Sequence, residues 1–159
     1  MAFTLSSPAF DDGQPIPPRY TQDGENLSPP LAWYDAPAQT RGFLLVLEDP
    51  DAPRGVFRHW GLYNLARDRD ELPEGVGHGV AFAGEPVEDI GTATNDFGHP
   101  AYGGPAPPRG DRPHRYVFRL MALDQEPLSG SPDLTVAEAM DAAQGHVIGE
   151  ARLTGTYRR

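Results

Sequence analysis

The residue types that could do chemistry fall in two segments of the chain. In the first, the carboxylates of Asp49 and Asp51 come directly after an apolar run, and His59 follows a short loop that contains Pro53. A carboxylate beside an imidazole orients the ring, holds a proton on one nitrogen and can support acid–base chemistry. Acids next to proline are also typical of ordinary turns. This segment alone therefore predicts either a site or a tight turn, in which a cis X–Pro bond is expected.

The second segment is a glycine- and proline-rich loop that leads into His114 and Tyr116. Gly104 lets the backbone approach a ligand and turn its N–H groups toward it, and Pro107 stiffens the loop. If the two segments meet in space, two imidazoles, a phenol and loop N–H groups converge as donors. Such a cluster suits a small oxyanion such as phosphate.

The two acids would then stand behind the histidines, because like charges keep carboxylates away from an anion. We expect Asp49 and Asp51 to accept a hydrogen bond from the far nitrogen of each imidazole. Such pairing raises the pKa of a histidine and favours its charged form.

The composition limits the class of protein that carries these residues. The 159 residues predict one domain, and 18 Gly with 18 Pro exclude a helical bundle and favour short strands joined by loops. The net charge of −10 argues against nucleic-acid or anionic-membrane partners. The chain has no Cys and no Lys, which excludes disulfides, thiolate chemistry and Schiff bases. With no secretory signal and no transmembrane segment visible, we expect a cytoplasmic protein.

The elements that must position the two segments are mostly strands. Alternating or continuous apolar residues predict strands over 42–47, 57–65, 114–123 and 150–157. The spacing of Thr135 and Glu138 predicts a capping box that starts a helix, with Gly145 at its end. The predicted fold class is mainly β, an antiparallel sandwich with one or two short helices near the C-terminus.

The motifs also resemble the phosphatidylethanolamine-binding protein family, and most closely its bacterial Raf-kinase-inhibitor-like branch. The resemblance lies in Asp49-Pro50-Asp51-Ala52-Pro53, His59-Trp60, Gly104-Pro105-Ala106-Pro107-Pro108 and His114-Arg115-Tyr116. Flanking pieces such as Asn95-Asp96-Phe97-Gly98 extend it over nearly the whole chain. It implies a single domain over residues 1–159, a β-sandwich of two antiparallel sheets, with a small anion pocket at one edge.

The resemblance also implies which residues bind and what they bind. The matching ligand-binding positions are Asp49, Asp51, Pro53, His59, Gly104, Pro107, His114 and Tyr116. The implied ligand is phosphate, acetate or a phospholipid headgroup such as phosphoethanolamine, bound without a metal or cofactor. The implied role is a non-enzymatic binding or inhibitory module toward a kinase or protease, in a homodimer. A short loop after Pro53 and the lack of an extra C-terminal helix set the chain apart from longer eukaryotic relatives, so their kinase contacts do not transfer.

Two alternatives remain open on the sequence alone. The Asp and His side chains could serve a hydrolase, although no Gly-x-Ser-x-Gly elbow is present and nothing marks Ser28 as activated. Two histidines and a carboxylate could also bind a metal in a cupin-like barrel, although the usual His-x-His spacing is missing. Among the remaining candidates, Arg115 is expected to face solvent or pair with an acid. No ligand role is assigned to the other histidines, His78, His99 and His146.

Overall fold

The computed structural model describes residues 2–76, 90–125 and 134–159, and it confirms a mainly β protein with two antiparallel sheets. The small sheet has the strand order β1-β2-β5 and the large sheet the order β6-β4-β3-β7-β8. The strands are β1 (Thr4–Ser6), β2 (Leu31–Tyr34), β3 (Gly42–Asp49), β4 (Phe57–Ala66), β5 (Glu71–Leu72), β6 (Gly91–Thr92), β7 (His114–Leu123) and β8 (Val147–Tyr157). The described helices are α1 (Val136–Ala143) and a short 3-10 helix (Pro18–Tyr20).

Strand β3 runs through the centre of the large sheet and is buried on both faces, which explains its continuous apolar sequence. Phe43, Leu45 and Leu47 belong to the core between the two sheets. Leu44 and Val46 point to the opposite face and pack in a second cluster that includes residues of α1. The large sheet is therefore the middle layer, covered by the small sheet on one face and by the helix on part of the other.

Strands β7 and β8 form the longest ladder of the described residues, in register from His114 opposite Tyr157 to Ala122 opposite Gly149, with a one-residue shift before Leu123 opposite Val147. β7 has the predicted bounds, whereas β8 begins three residues before the predicted start at position 150. The missed residues Val147 and Ile148 are exposed apolar side chains that break the alternation on which the prediction rested. Val147 still pairs with Leu123 of β7, whereas Ile148 is the extra residue at the register shift.

The capping box predicted for the helix is confirmed. The Thr135 side chain accepts from the Glu138 amide at 3.1 Å, and the Glu138 carboxylate accepts from the Thr135 amide at 2.9 Å. Val136, at the first helical position, packs closely on Gly61 of β4. A Cβ at position 61 would lie 3.0 Å from a methyl group of Val136. Gly145 ends the helical segment with a φ of 86°, in the left-handed region that glycine adopts without strain.

The antiparallel order brings the two chemistry-bearing segments to one end of the large sheet. β3 ends at Asp49, which is paired with Phe57 at the start of β4, and Glu48 is paired with Val117 near the start of β7. The described residues contain no cis peptide bond, so the expected cis X–Pro bond is wrong. None of the helices in the described ranges is long and apolar enough to cross a membrane. His78 lies outside the described residues.

Candidate functional site

A cavity of about 190 Å³ opens at this end of the large sheet. Its lining combines side chains from the ends of β3, β4 and β7 with the loops around them. The lining residues are Asp49, Ala52, Pro53, Phe57, His59, Phe97, Ala106, Pro107, Pro108, His114 and Tyr116. The two segments singled out in the sequence therefore meet, and only Asp51 and Gly104 of the expected site residues lie outside the lining.

His114 is held between two carboxylates at the start of β7. Its Nδ1 lies 2.7 Å from Asp49 Oδ2, and its Nε2 lies 2.8 Å from Asp111 Oδ2. Burial by itself lowers the pKa of His114, but the hydrogen bonds and charges of Asp111 and Asp49 outweigh it and raise the pKa above its usual value. The expected contact with Asp49 is present. Because both ring nitrogens are engaged, His114 acts here as a cation that fixes Asp49.

His59 has a different partner from the one expected. Its Nδ1 lies 2.7 Å from the carbonyl oxygen of Gly103, which can only accept, so Nδ1 carries the proton. Burial lowers the pKa of His59 below its usual value, and the nearby carbonyls of Gly103 and Gly104 and the charge of Asp49 offset this only in part. The prediction of a raised pKa is therefore wrong for His59. The neutral ring keeps a lone pair on Nε2, which makes that atom an acceptor.

The hydroxyl of Tyr116 is a buried donor without a hydrogen-bond partner among the described residues. The whole side chain is inaccessible to solvent, stacked near His114 and edge-on to His59. Burial, and then the charge of Asp49, raises the pKa of Tyr116, so the hydroxyl stays protonated. A buried hydroxyl left unpaired costs free energy, about 1–3 kcal/mol in typical cases. A ligand oxygen in the cavity would remove that cost.

Aromatic rings form one wall of the cavity. Phe57 lies with its ring centroid 5.0 Å from that of His59, and Phe97 lies 4.6 Å from Phe57 and 5.3 Å from His59. Phe97 is 40% exposed, so it stands at the mouth while the histidine lies inside. These rings displace water from around the imidazole, which is the physical cause of its lowered pKa.

The glycine loop does not supply the amide donors that the sequence suggested. The Gly103 amide donates to the His59 carbonyl at 3.0 Å, and the Gly104 amide donates to Asn26 Oδ1 at 2.8 Å. A Cβ at Gly104 would lie 2.6 Å from Asn26 Oδ1 and from the Tyr20 carbonyl oxygen. The glycine is therefore needed for packing against the protein itself. Pro107, by contrast, lines the cavity as expected.

Asp51 does not stand behind a histidine but pairs with Arg115. The guanidinium makes two bonds to it, Nε to Oδ2 at 3.0 Å and Nη2 to Oδ1 at 2.9 Å, and the Arg115 amide also donates to Oδ2. These contacts lower the pKa of Asp51 to about 2. The expectation that Arg115 faces solvent or pairs with an acid is confirmed. Asp51 thus fixes the loop to β7 instead of orienting an imidazole.

Sequence reasoning missed two residues that organise the site. Asp111, three positions before His114, was not recognised as its second carboxylate partner. Asn95 is a buried hub whose Nδ2 donates to the carbonyls of His59 and Ala101, while its Oδ1 accepts from the amides of Phe97 and His99. The sequence marks Asn95 only as part of the family-like run 95–98. Nothing in that run indicates that the Asn95 amide joins β4 to the segment between β6 and β7.

The described residues hold no cluster of three or more His, Asp or Glu side chains arranged as metal ligands. In this cavity the Nδ1 of His59 is bonded to a carbonyl and both nitrogens of His114 are bonded to carboxylates.

The family model for phosphatidylethanolamine-binding proteins matches residues 6–158. This chain belongs to the phosphatidylethanolamine-binding protein family. Among its relatives, a UPF0098 protein of Methanothermobacter thermautotrophicus is 43% identical over 98% of both chains. A UPF0098 protein of Aquifex aeolicus is 39% identical over 96% of this chain and 86% of its own. The UPF0098 name describes no activity.

Solved structures agree with the membership. A phosphatidylethanolamine-binding protein homologue from Chlamydia trachomatis has a TM-score of 0.85 and 36% identity, covering 99% of this chain and 98% of its own. Escherichia coli YbcL, described as a member of the mammalian family, has a TM-score of 0.90 and 28% identity, covering 100% of this chain and 99% of its own. The match extends across the whole phosphatidylethanolamine-binding protein fold. That the chain forms one domain from 1 to 159 stays a prediction.

Proposed function

We propose that this phosphatidylethanolamine-binding protein family member binds a small oxyacid, a phosphate group in particular, in the cavity between Asp49, His59 and Tyr116. The observation that carries the proposal is the buried Tyr116 hydroxyl, which lines the cavity and has no partner among the described residues. Buried polar groups are almost always hydrogen-bonded in folded proteins. An oxygen of a bound ligand in the cavity would accept a hydrogen bond from this hydroxyl.

The size of the cavity supports a headgroup-sized ligand. Pockets that enclose drug-sized molecules measure about 300–1,000 Å³, whereas this cavity measures about 190 Å³. A phosphate, an acetate or a phosphoethanolamine headgroup is small enough to enter. The proline and alanine residues of the lining provide apolar surface that an aliphatic part of the ligand can contact.

The site favours ligand binding without catalytic turnover. Among the residues that line the cavity, Tyr116 has the only hydroxyl, and its raised pKa makes it a poor nucleophile. Ser28 donates its hydroxyl to the Val76 carbonyl at 2.7 Å and does not line the cavity. A hydrolase with a hydroxyl nucleophile is therefore not favoured, and hydrolysis by acid–base catalysis at Asp49 and His59 stays the alternative. A regulatory role toward a kinase or protease, a homodimer and a cytoplasmic location are part of this proposal and rest on the family resemblance and the sequence alone.

The direct test is an NMR titration of the imidazole resonances with inorganic phosphate and with phosphoethanolamine. We expect the signals of His59 to shift with saturation, because the ligand meets its Nε2, and those of His114 to follow through Asp49. The exposed His99, outside the cavity lining, is the internal control and should not move. If the three histidines respond alike, or if none responds at millimolar ligand, the proposal fails.

A further inference from the structure

The cavity offers an unusual balance of hydrogen-bonding groups for an anion site. Its acceptors are the lone pair of His59 Nε2 and the Asp49 carboxylate. The Asp49 oxygens already accept from the Asp51 amide at 2.8 Å and from His114 Nδ1 at 2.7 Å, but each carboxylate oxygen can accept a second hydrogen bond. The side-chain donor of the cavity is the Tyr116 hydroxyl. The cation in the lining, His114, has both N–H groups committed to Asp49 and Asp111. The two glycine amides of the loop are committed as well.

A fully ionised phosphate fits this balance poorly. It carries only acceptor oxygens, so it would place negative charge against the Asp49 carboxylate and leave the His59 lone pair without a donor. A buried acceptor without a donor costs free energy, and so does a close pair of like charges. A phosphate that keeps one proton has one O–H to donate and further oxygens to accept.

We propose that the cavity selects a phosphomonoester in its monoanionic, singly protonated form, whose P–O–H donates to Asp49 or to His59 Nε2 while another oxygen accepts from Tyr116. The inference rests on the proposed function and names its ligand class more narrowly. A phosphodiester lacks the P–O–H and is rejected on the same grounds as sulfate. The same chemistry occurs in soluble phosphomonoesters and in the headgroup of phosphatidic acid.

The surroundings of His59 favour its neutral state, in which Nε2 is an acceptor. The titratable groups that face it are Asp49 from β3, His114 and Tyr116 from β7, and Asp96 from the loop after β6. Burial among Phe57 and Phe97 outweighs the two carboxylates and lowers the pKa of the imidazole. A phosphomonoester loses its second proton at a pKa of about 6. In this proposal the ligand, not the ring, determines the pH dependence, and dimethyl phosphate, which has no ionisable P–O–H, distinguishes the two.

The test compares matched ligands on the unaltered protein by isothermal titration calorimetry. Methyl phosphate, dimethyl phosphate and sulfate differ in whether they carry an ionisable P–O–H. Below pH 6 we expect methyl phosphate to bind at least about ten-fold more tightly than dimethyl phosphate and sulfate. A ratio of this size corresponds to one charge-assisted hydrogen bond. The affinity of methyl phosphate should fall about ten-fold for each pH unit above its second pKa. The affinity of dimethyl phosphate should stay weak and independent of pH.

The outcomes separate this inference from the proposed function. If all three ligands bind equally, or if methyl phosphate binds more tightly as pH rises, the inference that the cavity selects the protonated monoester is wrong. The proposed function, binding of a small anion, is supported by either result. If dimethyl phosphate shows the same pH dependence as methyl phosphate, a protein group titrates instead, and the inference is also wrong. If no ligand binds at any pH, both proposals fail.

A variant pair tests the part of Asp49. Asp49→Asn places an amide donor where the carboxylate accepts, so sulfate and dimethyl phosphate should gain affinity relative to methyl phosphate. Asp124→Asn is the matched control, because Asp124 also pairs with a histidine, His146, but lies outside the lining, and its ligand ranking should equal that of the wild type. Circular dichroism establishes that each variant is folded. Unchanged ranking in folded Asp49→Asn would contradict the inference, and the ligand series above decides it if that variant does not fold.

A vesicle arm distinguishes the lipid source from the soluble one. Phosphatidylcholine vesicles are prepared with phosphatidic acid, a monoester, or with phosphatidylethanolamine, a diester. If the protein binds vesicles with phosphatidic acid but not vesicles with phosphatidylethanolamine, the inference is supported and the ligand is a lipid. If the protein binds methyl phosphate but neither kind of vesicle, the inference is supported and the ligand is soluble. Phosphatidylethanolamine vesicles that bind as well as phosphatidic acid vesicles would overturn it.

Discussion

His114 Nδ1 lies 2.7 Å from Asp49 Oδ2, and the two side chains are only 2% and 5% exposed. A second carboxylate, Asp111, holds the other ring nitrogen. The imidazole is thus more easily protonated in the folded chain than in the unfolded one. Proton uptake by His114 and folding are therefore linked.

We predict that His114 stabilises the fold most at low pH. Because its folded pKa lies above the unfolded value of 6.5, its contribution is complete below that value and is lost as pH rises through the folded pKa. His114→Gln should cost about 3 kcal/mol in the free energy of unfolding near pH 5.5, since it leaves Asp49 buried without its cation. Near pH 8.5 the cost should be smaller. Urea denaturation of both proteins at the two pH values measures the difference.

The pKa of His59 falls on folding, so His59 has the opposite effect on the pH dependence of stability. Because His59 is present in both the wild type and His114→Gln, its effect cancels in the difference between them. His99→Gln is the control for removing an exposed histidine, and it should change stability little at either pH. A cost of His114→Gln that is equal at both pH values, or larger at the higher one, would refute the linkage.

The large sheet could be predicted because its residues carry one-dimensional patterns. Tyr116, Phe118 and Leu120 alternate with residues of the other face, and the structure gives β7 the predicted bounds. The helix start could be predicted since the capping box needs only two residues at a fixed spacing. The short strand β1 gave no such pattern. Its three residues join the small sheet through pairing with β2, a contact between distant parts of the chain.

The site could be predicted as a meeting point but not as a set of bonds. The ends of neighbouring antiparallel strands bring Asp49 and His114 together, and that follows from topology. The partner of His59 is a backbone carbonyl at Gly103, which every residue has, so no side-chain spacing announces it. Both Asp49 and Asp51 were expected to pair with a histidine, but only Asp49 does. Arg115 binds Asp51 through a bidentate contact instead, and the sequence does not indicate that pairing.

We predict that Tyr116→Phe separates binding from stability. The hydroxyl has no partner among the described residues, so its removal should leave the free energy of unfolding unchanged or raise it by up to about 1 kcal/mol. Affinity for phosphate should fall by about ten-fold or more, because one hydrogen bond to a charged oxygen is lost. Calorimetric titration and urea denaturation measure the two quantities.

Tyr102→Phe is the matched control. The Tyr102 hydroxyl donates to the Tyr20 carbonyl at 2.6 Å and is also buried, but Tyr102 does not line the cavity. That variant should lose about 1 kcal/mol of stability and keep its affinity for phosphate. Equal affinities in Tyr116→Phe and the wild type would exclude the hydroxyl from the binding site.

We predict that Asn95→Asp disrupts the site through its loops. The change keeps the shape of the side chain but replaces the Nδ2 donor with an oxygen that faces the carbonyls of His59 and Ala101. We expect a loss of about 2–4 kcal/mol, because two donated bonds become repulsive contacts in a buried place. Part of the loss should be recovered in acid, where the new carboxyl is protonated. Asn26→Asp is the control, because it keeps the oxygen that accepts from the Gly104 amide, and it should lower the free energy of unfolding far less. Equal losses in the two variants would show that the two bonds donated by Asn95 are not the cause.

We predict that Arg115→Gln changes acid stability by releasing Asp51. The lowered pKa of about 2 means that this pair stabilises the fold above the unfolded pKa of 3.8, and that the contribution disappears as pH falls through 2. Arg115 is 61% exposed, so the loss near pH 7 should be no more than about 1 kcal/mol. In the variant the Asp51 pKa, followed by NMR of its carboxyl carbon, should rise toward 3.8. Arg112→Gln removes a neighbouring exposed guanidinium that makes no bond to Asp51, and an equal rise there would show that general charge, not the bidentate contact, sets this pKa.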